Sequence, residues 1–256
     1  MQSNHQKSFY DATSPEEALE IYLSGHDNLY GKTQIGTVKR ALRHAYPSLK
    51  GLRILEVGCA GGIWTEFFLE EGALVTCVDV SKNILEANRA NHPEASFVLG
   101  DAATVQLKGT FDLVFAKDVI EHIAADEVFL RNMHHHLRPG GRIVIATQNA
   151  LSVNFIIQGG YHWLRGNRAW CGWDPTHVRF YTPRSLRRKL LATGFHPKQW
   201  FGSYYFPYRL LADHLGRFWE SSVFCSLERL GLSLLPPLNK CGWNIGVVAE
   251  KQRGLR

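Results

Sequence analysis

Two carboxylates and an imidazole lie close together in the segment Asp118-Val-Ile-Glu121-His122. Positions i, i+3 and i+4 share one face of a helical turn, so we expect these three side chains to converge. Oxygen and nitrogen donors of this kind suit a hard or borderline divalent ion such as Mg²⁺, Mn²⁺, Fe²⁺ or Zn²⁺. A second histidine, His177, lies in a later segment and would complete a metal set of Asp118, Glu121, His122 and His177.

The same residues allow three interpretations. In the first, a bound metal lowers the pKa of a substrate oxygen and orients that oxygen. Without a metal, His122 is a candidate general base, since the unperturbed pKa of histidine is near working pH, and Glu121 is the second catalytic candidate. The third interpretation is structural, with Glu121 and His122 capping or pairing at the start of a helix. The sequence leaves all three open.

A turn of small residues follows the apolar run Arg53–Val57 and precedes a helical pattern from Ile63 to Glu71. A second apolar run, Leu74–Asp79, ends on an acid 21 positions after Gly58. Strand, glycine turn, helix, strand and acid follow one another as in a nucleotide-cofactor half-fold. Small residues let the backbone approach a ligand closely. The carboxylate of Asp79 can accept hydrogen bonds from both hydroxyls of a ribose.

The spacing of the small residues argues against a dinucleotide. A G-x-G-x-x-G fingerprint needs glycines at 58, 60 and 63, but the chain has Gly58, Ala60 and Ile63. An NAD-dependent oxidoreductase is therefore a distant alternative. The segment Glu56-x-Gly58-x-Ala60-Gly61-Gly62 instead resembles the E/D-x-G-x-G-x-G motif of the class I S-adenosylmethionine-dependent methyltransferases, with Ala60 in place of the usual second glycine.

This resemblance covers residues 51–147. It continues through Gly100-Asp101-Ala102, through Phe111–Ala116 and through Leu137-Arg-Pro-Gly140-Gly141, which is similar to the L-x-P-G-G turn of that family. The resemblance implies S-adenosyl-L-methionine as the cofactor. The cofactor-binding residues that it implies are Glu56, Gly58, Ala60, Gly62, Asp79, Val80, Asp101, Ala102 and Lys117.

A narrower resemblance concerns the candidate catalytic segment. Asp118-x-x-Glu121-His122 is similar to the E-x-x-E-H segment of the ubiquinone-biosynthesis O-methyltransferases, with Asp118 in place of the first Glu. That resemblance implies methyl transfer to a hydroxyl of a small-molecule acceptor. N-methylation and RNA methylation stay open as alternatives.

The period of the apolar residues predicts the elements that position these groups. Strands are expected at 52–57, 74–79, 96–99, 111–116, 141–147, 195–206 and 242–250, and core helices at 62–71, 82–91 and 125–137. Strands that alternate with helices indicate a parallel sheet covered on both faces. We therefore expect an α/β, doubly wound, mostly parallel seven-stranded sheet of the Rossmann-like methyltransferase kind. Its ligands should bind at the carboxyl ends of the strands, where Gly58, Asp79, Asp101 and the residues after Ala116 meet.

The remaining segments predict the organisation of the chain. Residues 1–50 are expected to be helical, with helices that begin near Thr13 and at 36–46, and the family resemblance implies that they form an N-terminal lid over the cofactor. Residues 51–256 are expected to form the cofactor-binding domain, with insertions at 148–181 and 207–240. The first insertion is aromatic and glycine-rich and is expected as a loop above the cleft. The second has a helical apolar stripe that favours either anionic lipid or ordinary packing.

Charge is unevenly distributed along the 256 residues. Residues 1–128 hold 11 Lys and Arg against 18 Asp and Glu, whereas residues 129–256 hold 18 against 5. The basic half favours a small anionic substrate, an anionic membrane surface or nucleic acid, or it is a solvated face without a partner. Nucleic acid is the least favoured partner, because no appended RNA-binding module is visible.

Cysteine usage and hydropathy bear on the location of the protein. The five cysteines are scattered and none forms a C-x-x-C pair, so we expect reduced, buried thiols rather than disulfides or a zinc site. No apolar run reaches the roughly 18 residues that a membrane span needs, and no signal-peptide pattern is visible. We expect a cytoplasmic protein and leave peripheral membrane contact open. The sequence does not indicate the oligomeric state.

Overall fold

A computed structural model of the chain describes residues 29–168, 170, 174, 176–205 and 235–252. Within these residues seven strands form one sheet: β1 (Arg53–Val57), β2 (Leu74–Asp79), β3 (Ser96–Leu99), β4 (Phe111–Lys117), β5 (Leu137–Gln148), β6 (Phe195–Ser203) and β7 (Asn244–Lys251). The helices are α1 (Leu29–Ala45), α2 (Ile63–Glu70), α3 (Lys82–Asn91), α4 (Asp126–His136), α5 (Val153–Leu164) and α6 (Pro183–Ala192). Two single 3-10 turns lie at Ile120–His122 and Leu238–Lys240.

The strand order across the sheet is β3-β2-β1-β4-β5-β7-β6. Neighbouring strands from β3 to β5 are parallel, and β7 runs antiparallel to both β5 and β6. The direction of winding reverses between β1 and β4, which is the switch point where such sheets bind ligands. The predicted doubly wound, mostly parallel seven-stranded sheet is confirmed.

Helices cover both faces of the sheet, which explains why the central strands are apolar along nearly their whole length. In β1 every residue after Arg53 is buried. On one face, Phe129 of α4 and Leu186 of α6 belong to the buried cluster that contacts the sheet. On the other face, Leu42 of α1 and Phe68 of α2 lie in a second buried cluster.

Local signals in the sequence set where the helices next to the cleft begin. The Ser81 hydroxyl accepts a hydrogen bond from the backbone N–H of Ile84 and so caps α3. Thr182 and Ser185 form a reciprocal capping box at the start of α6, with Pro183 in its first turn. Such caps satisfy N–H groups that the helix itself leaves without partners.

Most element predictions are confirmed to within two residues, and two strands differ by three or more residues at one end. The strands at 74–79 and 96–99 and the helix at 82–91 have the predicted bounds. Strand β5 begins at Leu137 rather than at 141, because the L-R-P-G-G segment already pairs with Phe111 of β4. Strand β6 ends at Ser203 rather than at 206.

The segments outside the core differ more from expectation. The insertion 148–181 is not a simple loop, because it contains α5, and Tyr181 returns to pair with Asn149 at the end of β5. Helix α1 begins at Leu29, before the predicted 36, and packs on the sheet. The predicted helix near Thr13 and the stripe at 208–230 lie outside the described residues. The assignment of 1–50 as a lid and the division into domains stay predictions.

Cys59 and Cys77 are buried free thiols, as expected from the sequence, whereas Cys241 is a free thiol that is exposed rather than buried. Among the helices of the described residues, none has both the length and the apolar character needed to cross a membrane.

Candidate active site

A cleft of about 420 Å³ opens at the carboxyl ends of β1, β2 and β4. Parallel strands bring these ends to one edge of the sheet, so residues far apart in sequence meet there. Seven of the predicted cofactor-binding residues line this cleft: Gly58, Ala60, Asp79, Val80, Asp101, Ala102 and Lys117.

The turn after β1 has a backbone that only small residues tolerate. Gly58 has a φ of 74°, and a Cβ at this position would lie 2.6 Å from Cγ2 of Val119. Ala60 has a φ of 40° although it is not a glycine, and its carbonyl accepts a hydrogen bond of 2.6 Å from Nδ2 of Asn88. A ligand in the cleft can therefore approach this backbone without meeting a side chain.

Asp79, the last residue of β2, presents its carboxyl group at the cleft. Burial raises its pKa, while hydrogen bonds from the backbone N–H groups of Ser81 and Ala60 act to lower it. The N–H of Ser81 donates to Oδ1 over 2.9 Å. A buried carboxyl group beside a small-residue turn fits the two hydroxyls of a ribose, which are donors. The residues present therefore fit a nucleoside cofactor.

Two of the predicted cofactor-binding residues do not line the cleft. Glu56 is buried behind the turn, where its Oε2 accepts a hydrogen bond of 2.6 Å from the Thr65 hydroxyl. Burial raises the pKa of Glu56 to about 8. Gly62, with a φ of 80°, begins α2, and a Cβ there would lie 2.3 Å from Oδ1 of Asn88. The structure therefore places both residues where they hold the turn, rather than in its ligand-facing surface.

A cluster of possible metal ligands includes His122 and His177, which line the same cleft, and Glu121, which is fully buried and does not line it. Glu121, His122 and His177 each offer a ligand atom, and these atoms lie within 4.8 Å of one another. The imidazole centroids of His122 and His177 are 4.6 Å apart. The predicted convergence of residues 121, 122 and 177 is thus what the structure shows.

Asp118 is positioned differently from the prediction. It has a φ of 53° and precedes the turn Ile120–His122, so it does not share a helical face with Glu121 and His122. Its Oδ2 contacts Nζ of Lys117, and its Oδ1 is buried without a hydrogen-bond partner among the described residues. The helical-turn argument was wrong for Asp118, because a non-glycine residue with positive φ breaks the turn.

Burial sets the protonation of the cluster. It raises the pKa of Glu121 to about 8, and the Asp118 carboxylate adds to the shift. Neither carboxyl oxygen of Glu121 has a hydrogen-bond partner of normal geometry among the described residues. Burial lowers the pKa of His177 to about 4, and it lowers that of His122 as well. The two neutral imidazoles can bind a divalent ion as they are, whereas the buried carboxyl group of Glu121 must first lose its proton, because the ligands of such an ion are deprotonated.

The segment that carries His177 also orients His122. The Thr176 hydroxyl donates a hydrogen bond of 2.6 Å to Oδ1 of Asp174. Nδ1 of His122 lies 3.0 Å from that hydroxyl oxygen and 3.4 Å from the Thr176 carbonyl oxygen. A carbonyl only accepts, and the single proton of the hydroxyl goes to Asp174, so Nδ1 is the protonated nitrogen. Nε2 of His122 is consequently left with a free lone pair.

The sequence prediction missed several residues of the cleft. Asp174, Thr176 and Gln148 line it together with Val119. One signal was available for Asp174 and Thr176. In an Asp-x-Thr turn the aspartate side chain accepts from the backbone N–H two residues later, and here that distance is 2.8 Å. Nothing in the sequence indicated Gln148, whose Oε1 is buried without a partner among the described residues.

The fold and the cleft define an α/β protein that binds a nucleoside cofactor. A family model described as a methyltransferase domain matches residues 31–199. The chain belongs to this methyltransferase domain family.

Similar curated proteins carry one common name. A ubiquinone biosynthesis O-methyltransferase of Rhizobium johnstonii is 35% identical over 160 residues, which are 57% of this chain and 60% of the relative. A protein of the same name from Azorhizobium caulinodans is 31% identical over 172 residues, 63% of this chain and 65% of the relative. The matched region thus spans about 60% to 65% of the length of these relatives.

Solved structures share the fold at low identity. A magnesium protoporphyrin IX methyltransferase from Synechocystis PCC 6803, with bound S-adenosylhomocysteine, superimposes with a TM-score of 0.59 at 16% identity, covering 87% of this chain and 84% of that chain. An N-methyltransferase from Bradyrhizobium japonicum has a TM-score of 0.59 at 15% identity and covers 94% and 100%. These similarities show that the fold is that of a methyltransferase.

Proposed function

We propose that this protein is an S-adenosylmethionine-dependent methyltransferase that methylates a hydroxyl oxygen of a small molecule. One observation carries the proposal: a single cleft is lined both by the cofactor-type turn and Asp79 and by His122 and His177. An acceptor held at the histidines is thus next to the place where the cofactor fits. The names of the curated relatives support oxygen as the acceptor atom.

The residues of the cofactor half bind and orient. When bound, S-adenosylmethionine supplies an electrophilic methyl group. Asp79 accepts hydrogen bonds from the ribose hydroxyls, and the turn at Gly58 and Ala60 admits the cofactor close to the backbone. Asp101 and Ala102 also line the cleft, and we expect the adenine to lie next to them. Holding two reactants in line in this way contributes a large part of a transfer rate.

The residues of the other half prepare the acceptor. Glu121, His122 and His177 would hold a divalent ion, with Asp118 close by but paired to Lys117. Such an ion, when bound, supplies Lewis acidity that lowers the pKa of an acceptor hydroxyl. The Asp174–Thr176 pair holds Nδ1 of His122, so Nε2 keeps a lone pair that can bind the ion.

A specific observation also supports a metal-free base. Nε2 of His122 carries the lone pair, and burial lowers the pKa of this imidazole, so it is neutral at pH 7 and able to take a proton. In this alternative His122 removes the acceptor proton at Nε2, and Glu121 has no ligand role.

Calorimetry with S-adenosylmethionine and S-adenosylhomocysteine tests the cofactor half. We expect both to bind and NAD not to bind. Asp79→Ala should weaken binding by about 1.5–3 kcal/mol, roughly 10- to 150-fold, the scale of hydrogen bonds to a charged group. Glu86→Ala removes an exposed carboxylate of α3 and is the matched control. Unchanged affinity in folded Asp79→Ala would contradict the assignment.

Formation of S-adenosylhomocysteine with panels of phenols, sugars, amines and short RNAs tests the acceptor. We expect turnover with hydroxyl acceptors. Turnover with amines alone would show that the protein is an N-methyltransferase. Turnover with RNA alone would show that the acceptor is RNA and not a small molecule. A cytoplasmic location and peripheral membrane contact through 208–230 remain predictions from the sequence.

A further inference from the structure

Helix α5 presents its apolar side chains to solvent. Over residues 151–164, seven large apolar or aromatic side chains are between 43% and 79% exposed: Leu151, Val153, Ile156, Ile157, Tyr161, Trp163 and Leu164. Of these, Val153, Ile156, Ile157 and Leu164 follow one another at helical spacing. Five other large apolar side chains of the described residues are similarly exposed, and they are scattered over the rest of the chain. The concentration on one helix marks an interaction surface.

The opposite face of α5 is polar where it is most buried. Asn154 and Gln158 are 2% and 3% exposed, and Nε2 of Gln158 donates to Oδ1 of Asn154 over 2.5 Å. Phe155 packs against Trp243 and Phe180, with ring centroids 5.6 Å and 5.0 Å apart. These contacts fix the rotation of the helix. An ordinary surface helix has the reverse arrangement, with its apolar face toward the core and its polar face toward solvent.

Two arginines lie at the carboxyl end of this surface. Residues 128–173 include no Asp or Glu. Arg165 lies over the ring of exposed Tyr161, with Cζ 5.6 Å from the centroid, and Arg168 lies 5.8 Å from the centroid of exposed Trp163. Aromatic rings and arginines at one end of an exposed apolar stripe are typical of side chains at a membrane–water interface.

A second group of arginines begins at the same edge of the sheet. Asn149 pairs with Tyr181, and α5 and α6 start within four residues of this pair. In α6, Arg184, Arg187 and Arg188 are exposed. The apolar stripe of α5 and the cations of α6 therefore both start beside the candidate active site.

We propose that α5 docks on an anionic lipid bilayer, with its stripe (Leu151, Val153, Ile156, Ile157, Trp163 and Leu164) in the interfacial region and the arginines on lipid headgroups. A second copy of the chain fits this surface less well, because two basic faces would repel each other. RNA also fits less well, because exposed aliphatic side chains offer it neither stacking nor hydrogen bonds. Docking brings the cleft to the membrane, so acceptors can be apolar molecules dissolved in it.

Co-sedimentation of the full chain with vesicles tests the proposal. We expect binding to vesicles of phosphatidylglycerol and phosphatidylcholine, much weaker binding to phosphatidylcholine alone, and loss of binding at high salt. The double variant Ile156→Glu/Ile157→Glu should reduce partitioning at least about tenfold. Leu74→Glu changes a side chain that is 62% exposed at the amino end of β2, away from the cleft, and should bind like the wild type.

Four outcomes would overturn the proposal. Wild-type protein that stays in the supernatant with anionic vesicles does so directly, provided that circular dichroism shows it to be folded. Equal partitioning of the double variant and the wild type assigns binding to another surface. A dimer by sedimentation velocity that the double variant converts to a monomer, without vesicle binding, assigns α5 to a self-interface. A gel shift with short RNA but no vesicle binding assigns the basic surface to nucleic acid.

Discussion

The hydroxyl of Tyr181 donates a hydrogen bond of 2.7 Å to Oδ2 of Asp126, at the first residue of α4. Nζ of Lys189 lies 3.0 Å from the other carboxyl oxygen, and Arg179 pairs with Oδ2. This buried carboxylate thereby joins three residues of the segment that returns from the insertion to the sheet. In the same segment the N–H of Val178 donates to the Glu121 carbonyl over 2.9 Å. Asp126 consequently helps to hold His177 next to Glu121.

Asp126→Asn should destabilise the protein by about 2 kcal/mol near pH 7, the scale of lost hydrogen bonds to a charged group. Although burial acts to raise it, hydrogen bonds from Tyr181, Lys189 and Arg179 hold the pKa of Asp126 below its usual value. The stabilisation is therefore present above the unfolded-state pKa and is lost as pH falls through the folded-state pKa. Urea unfolding should show a difference between wild type and variant that shrinks toward pH values of about 3.

The control for this variant is Glu127→Gln, which changes the neighbouring carboxylate, 45% exposed, on the same helix. It should alter the free energy of unfolding by less than about 0.5 kcal/mol. If the loss in Asp126→Asn does not depend on pH, the carboxylate charge is not what stabilises this segment.

Thr176→Val should slow turnover by about 10- to 100-fold, the usual effect of removing an outer hydrogen bond to a ligand or base. The valine neither accepts from Nδ1 of His122 nor donates to Asp174, so the ring loses its fixed orientation. Steady-state kinetics should show the change, while calorimetry should show unchanged cofactor affinity. Thr176→Ser keeps the hydroxyl and should retain most of the activity. Equal losses in both variants would contradict the orienting role.

The cofactor half of the site could be predicted because its geometry is local. A strand, a small-residue turn and an acid at the end of the next parallel strand must meet at one edge, so Gly58 and Asp79 were placed correctly. The acceptor half depends on longer-range contacts. The positive φ of Asp118 and the docking of residues 176–178 on the turn at Glu121 are tertiary effects that no period or spacing reveals. Helix α5 was not predicted either. Its apolar side chains face solvent, so they do not follow the usual pattern in which the apolar face of a helix packs on the core.

The turn itself offers a test of backbone strain. Ala60 has a φ of 40°, a left-handed conformation that costs a non-glycine residue about 1–2 kcal/mol. Ala60→Gly should therefore raise the free energy of unfolding by about 0.5–1 kcal/mol, after the entropy of the more flexible unfolded glycine is subtracted. Gly58→Ala is the opposite case, since its Cβ would lie 2.6 Å from Val119. It should lower both stability and cofactor affinity. Destabilisation by Ala60→Gly would contradict the strain argument.

The last prediction separates the metal from the metal-free base. If Glu121, His122 and His177 bind a divalent ion, a chelator should abolish turnover, and one divalent ion should restore it. Elemental analysis of the purified protein provides a readout that does not depend on activity. Cofactor affinity should be nearly unchanged, because the proposed function assigns cofactor binding to Asp79 and the turn at Gly58 rather than to the metal ligands.

Glu121→Gln makes the distinction sharper. Without a metal, burial raises the pKa of Glu121 to about 8, so this group is already neutral at pH 7 and glutamine is a close replacement. The variant should then retain activity, while His122→Ala loses it. With a metal, the ion needs the carboxylate, and glutamine should cost about 100-fold in turnover or in metal affinity. Full activity in chelator, together with an active Glu121→Gln and an inactive His122→Ala, would eliminate the metal and leave His122 as the base. Activity that survives His122→Ala as well would mean that the cluster is structural and that the acceptor ionises unaided.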